Sequence, residues 1–116
     1  MTISTAGTFQ DSEFNSGQTS LSLSTTGLTN LKVISFLVFN SSNYVTALSG
    51  GGVTTWHSLT KLSSSSVGGT AQLWWGVVTS TGAGTLTVTY ASSIGTTYVT
   101  VDAQEFSCPG ATWSLD

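Results

Sequence analysis

The chain has 116 residues, no Arg, two Lys and a formal net charge of −3. That length favours one domain of roughly 100 to 200 residues around a single core, and two cations cannot neutralise a run of phosphates or hold an anionic bilayer, which argues against nucleic acid or a charged membrane surface as partner. Charged residues make up 6% of the chain, against about 25% in an ordinary soluble domain. Ser, Thr and Gly together fill 54 positions while the apolar share stays at 39%. Such a composition describes a folded chain coated in hydroxyls and amides, suited to an assembly or an extracellular module rather than to a free cytosolic enzyme.

No window shows a helical period, and strands are expected at about 4–9, 19–24, 32–40, 43–48, 53–62, 70–79, 84–91 and 96–107. The N-terminus, Met1-Thr2-Ile3-Ser4-Thr5, has no basic region followed by an apolar one, so no classical signal peptide is expected. Asp11 and Glu13 would face the same way if they lay in a strand, and they are the calcium candidates of the chain. A dedicated calcium site draws on about six to eight oxygens, however, so the plain reading is solvated carboxylates. Around 19–24, Leu21 and Leu23 alternate with Ser and should point inward.

The segment 32–40 is apolar on both faces, with Val33, Leu37 and Phe39 opposed to Ile34, Phe36 and Val38. A strand of that kind is covered on both sides or lies beneath a partner, which makes Phe36 and Val38 interface candidates. It also falls short of the roughly 20 apolar residues of a membrane helix, so membrane insertion is not expected. In 53–62 stand Trp56 and His57, the only imidazole. A lone His in a strand pattern usually bonds a neighbour, and neither a nucleophile elbow nor a zinc-binding His pair accompanies it.

Trp74 and Trp75 are adjacent in 70–79 and so point to opposite faces, one into the core and one outside the sheet. The outer indole, together with Trp56 and Trp113, is a candidate for contact with another subunit or for stacking on a sugar ring. Thr85 to Tyr90 is the cleanest alternation, with Leu86, Val88 and Tyr90 inward, and Val99, Val101 and Ala103 repeat the scheme. Cys108 cannot form an intrachain disulfide and reads as a small buried residue; Pro109 marks the end of the last strand. Lys32 or Lys61, with Glu105 as acid and Asn30, Asn40 or Asn43 as acceptor, holds the ingredients of an internal amide crosslink, but no spacing selects them.

These strands and Gly/Ser-rich breaks indicate an all-β fold, an antiparallel β-sandwich of about eight strands spanning 1–116 as one domain, with a jelly roll and an immunoglobulin-like Greek key both open. From about Thr54 onward the chain resembles a loosely defined class of Ser/Thr/Gly-rich β-sandwich domains found in phage virion proteins and large bacterial surface proteins. The resemblance is carried by Ala71-Gln72-Leu73-Trp74-Trp75, by Gly82 to Tyr90, and by Ala103-Gln104-Glu105-Phe106-Ser107. Such domains usually show Trp-Tyr where Trp74-Trp75 stands and Glu-Phe-Ser-Gly where this chain has Glu105-Phe106-Ser107-Cys108.

Domains of this class serve as spacers, decorations, adhesins or glycan binders, so the resemblance implies neither catalytic residues nor a cofactor. With no signal peptide expected, the preferred expectation is a non-enzymatic virion protein, a capsid decoration or fibre domain or a tail-associated domain. It would assemble as a homo-oligomer, a trimer favoured, or with other virion proteins. The rival expectation is an adhesin or carbohydrate-binding module of a bacterial surface protein, bound to a cell-surface glycan.

Overall fold

The computed structural model describes residues 2–15, 20–25, 31–38, 42–80, 84–92 and 98–114. They form nine strands and no helix: β1 (Ser4–Asn15), β2 (Ser20–Thr25), β3 (Leu31–Val38), β4 (Val45–Gly50), β5 (His57–Ser58), β6 (Leu62–Ser64), β7 (Gly69–Val77), β8 (Gly84–Tyr90) and β9 (Tyr98–Ser107). All pairings are antiparallel. The larger sheet runs β1-β9-β3-β7-β5, with β6 also on β7, and the smaller runs β2-β8-β4.

Alternation decides which side chains go inward. On β8, Leu86, Val88 and Tyr90 are buried, and on β9 Val99 and Val101 are buried while Ala103 packs against them, as the period-two pattern requires. Val45 and Leu48 of the smaller sheet and Val38 and Trp74 of the larger join them in one core cluster. Leu21 and Leu23 stand in register with Val88 and Leu86; their side chains lie outside the described ones.

Two buried amides fasten this core. Gln72, on β7, accepts from the Val45 N–H at 2.7 Å and donates to the Val45 carbonyl at 3.1 Å, pairing with β4 across the gap between the sheets as a strand backbone would. Asn43 accepts from the Tyr44 and Ser92 N–H groups and donates to the Ser92 carbonyl, which ties the entry of β4 to the exit of β8. Each supplies partners for main-chain groups that burial would otherwise leave unpaired.

Two expected strands change. The strand expected at 53–62 is divided: β5 pairs His57 with Trp75, whereas β6 pairs Leu62 with Ala71, so the register slips by one residue between them. A bulge around Thr60 and Lys61 absorbs the extra residue. The strand expected at 4–9 continues to Asn15 along β9, past an irregularity between Ala6 and Gln10. Asp11 and Glu13 therefore do lie in a strand, in register with Asp102 and Thr100.

Candidate functional site

β3 and β7 run side by side with both faces occupied. Their core-side row on β7 is Thr70, Gln72, Trp74 and Gly76, all buried. Val38, read from the sequence as an interface candidate, belongs to the same side and is 0% exposed; Trp74 is 7% exposed. Both are core residues of the chain itself, because their strands turn that face toward the smaller sheet. Phe36, the other strand candidate, is in register with Gln72 and Val101, and its side chain lies outside the described ones.

The opposite face carries the surplus apolar surface. Leu31 and Val33 of β3 and Leu73 and Trp75 of β7 form the floor of a groove of about 190 Å³, walled by Leu59, Trp113 and Ser114. Trp113 arrives there by a tight turn after β9. The Ala111 N–H bonds the Cys108 carbonyl at 3.0 Å, Pro109 takes the second position and Gly110 the third with φ 80°, the geometry of a type II turn. Pro109 thus ends the strand as its missing donor demands. Cys108 at the start of this turn is a free, buried thiol, 1% exposed.

Trp75 is sandwiched on one side by His57, ring centroids 4.4 Å apart and planes at 21°. The imidazole is exposed and its ring contact is this stack. Trp56 is half-buried against the core and donates its indole N–H to the Gly50 carbonyl at 3.3 Å. Among the described side chains, the indole nitrogens of Trp74, Trp75 and Trp113 and the Tyr90 hydroxyl are buried with no hydrogen-bond partner.

A second hollow, of about 280 Å³, opens between β4 and the β5–β7 edge, with Tyr44, Thr46, Ser58, Gln72 and Trp74 around it. Lys61, displaced by the bulge, places its ammonium 3.3 Å from the centroid of the Tyr44 ring, a cation–π contact. Sequence reasoning did not find this site, since only the bulge brings residue 61 opposite residue 44.

Among the described side chains the titratable groups do not gather. Among the described residues no group of three or more His, Cys, Asp and Glu could hold a metal ion, and the side chains of Asp11 and Glu13 lie outside the described ones. Glu105 is 5% exposed and in register with Lys32. Asn43, one crosslink acceptor considered from the sequence, is engaged at Tyr44 and Ser92, while Asn30 and Asn40 lie outside the described residues.

The chain matches no family model, no curated protein and no solved structure. Its functional reading therefore rests on its own residues.

Proposed function

We propose that the chain is a non-enzymatic structural module of a phage virion, a single β-sandwich domain that assembles through uncharged faces as a capsid decoration, fibre or tail-associated part. The observation that carries it is the state of the sheet borders. Exposed edge strands offer a ladder of free main-chain groups, and proteins that stay single guard them with charge, Lys above all. Among the described residues, β1, a 12-residue border strand, holds no Lys and has Asp11 and Glu13 as its charged residues, and β2 and β4, the borders of the smaller sheet, hold no charged residue at all. Lys32 is spent on the interior strand β3, and Lys61 lies over Tyr44. A chain built this way is kept from uncontrolled pairing by specific neighbours that cover its flanks, and the resemblance to Ser/Thr/Gly-rich virion domains supplies the particle as the setting.

Light scattering and native mass spectrometry test this reading. A stable oligomer, a trimer favoured, persisting on dilution to low micromolar concentration is the expected result; a monomer at all concentrations overturns it.

The inter-sheet hollow favours one second reading, a glycan-binding module of a surface protein. Its hydroxyls, aromatic ring and ammonium are the groups that a sugar with an acidic substituent would meet. Retention of a monomeric chain on a glycan array, lost in Lys61→Ala, would favour that reading over assembly.

A further inference from the structure

The border strand β4 carries no charge, yet main-chain groups are taken at both of its ends. At Val45, which opens the strand, both groups meet one side chain of the opposite sheet: the Gln72 oxygen accepts from the N–H at 2.7 Å, and the Gln72 nitrogen donates to the carbonyl at 3.1 Å. That two-bond exchange is what a residue of an added antiparallel strand makes with its opposite number. A carboxamide can make it from a side chain because it holds a donor and an acceptor side by side, whereas a carboxylate has no donor.

At the far end the Gly50 carbonyl accepts from the Trp56 indole at 3.3 Å and from the Val53 N–H at 3.3 Å. Thr46 to Ser49 stand between the two closures, a run shorter than the usual strand of about five or six residues. The hollow of about 280 Å³ lies along the same border, with Val45 and Thr46 on one side and Ser58, Gln72 and Trp74 on the other. A further strand would have to enter there. Gln72, 9% exposed, stands across that entry.

We propose that the Gln72 amide is a lock on the β4 border: it stands in for a neighbouring strand and denies this edge to strand addition, with Trp56 closing the far end. An unguarded border invites pairing with another chain, and here an amide does what charge does elsewhere. The lock comes from β7, so it acts only once the two sheets have packed. Within the assembly reading, it leaves the other borders for a neighbour to cover.

Two substitutions test the lock. Gln72→Ala removes it, and Ala47→Lys places a charge on the border at an exposed position of β4. Parent, single variants and the double variant are compared by native mass spectrometry, with circular dichroism melts to show that each is folded. The expected result is that Ala47→Lys leaves the parent's mass unchanged, because nothing pairs with a locked border. Gln72→Ala adds a species of twice the parent's mass, two copies joined β4 to β4, and the double variant returns to the parent's mass. A folded Gln72→Ala chain that keeps the parent's mass overturns the proposal. So does a parent whose mass falls on Ala47→Lys, since β4 would then already be paired. Gln72→Met, which keeps the side-chain length and loses both hydrogen bonds, takes the place of Gln72→Ala should the latter fail to fold. The parent's own mass is the baseline throughout, so failure of the lock leaves the assembly reading standing.

Discussion

At the scale of single residues, the core combines well-satisfied polar groups with a few that are not. Gln72 and Asn43 are buried with their main-chain partners in place, whereas the Tyr90 hydroxyl is buried without one and the residue is 4% exposed. Burial opposes the phenolate and pushes the Tyr90 pKa from 10.0 up to about 12. The unfolded chain then loses this proton near pH 10 while the folded chain keeps it to about pH 12, so the unfolded state binds fewer protons in that window and stability falls as pH rises through it. Below pH 10 the contribution is constant. Urea unfolding between pH 9 and about 12 should show this loss, and Tyr90→Phe, which removes the ionisation and an unpaired hydroxyl, should flatten it without loss of stability at neutral pH.

Elements depend on glycine where the sheets are joined. Gly50, Gly51 and Gly52 have φ of 83°, 68° and 75° and carry the chain from β4 toward the edge of the larger sheet, where the Gly52 carbonyl accepts from Thr79 and Ser80. A methyl group on Gly50 would meet the Thr85 carbonyl oxygen as well as an unfavourable φ, whereas one on Gly110, φ 80°, would meet nothing within 4 Å. Gly110→Ala should therefore cost only the backbone penalty, about 1–2 kcal/mol, and Gly50→Ala distinctly more, as read from denaturant midpoints. Much of this level was legible beforehand: Thr85 to Tyr90 and Val99 to Ala103 alternate so regularly that strand, face and core followed from the period alone. The opposed orientations of Trp74 and Trp75 were equally plain, but which of them enters the core depends on the β3 register, a long-range fact. The extension of β1 past Gln10 was hidden because Asp11 and, to a lesser degree, Glu13 disfavour strands and are held there by the β9 backbone. The bulge at Thr60 and Lys61 leaves no mark on composition, so the Lys61–Tyr44 contact could not be foreseen. Gln72 shares the parity of Thr70, Trp74 and Gly76, so its inward position, like that of Trp74, was fixed by the register and not by the sequence alone.

For the whole molecule, the scarcity of charge sets how association responds to its medium. Seven formally charged side chains, two positive and five negative, leave little for salt to screen, since ions act on charge pairs and hardly on apolar burial. An assembly held by the faces described here should keep its mass and midpoint of dissociation between about 0.05 and 1 M sodium chloride. Dissociation on raising salt would point instead to an ion-paired contact. The sheet order has a temporal consequence as well. β9 lies between β1 and β3 and is the sole described neighbour of β1, so during synthesis β1 waits without a ladder until residues near 107 have left the ribosome. The larger sheet is thus completed after translation of this stretch rather than strand by strand, and a nascent chain stalled before β9 is a target for chaperones that cover unpaired strands.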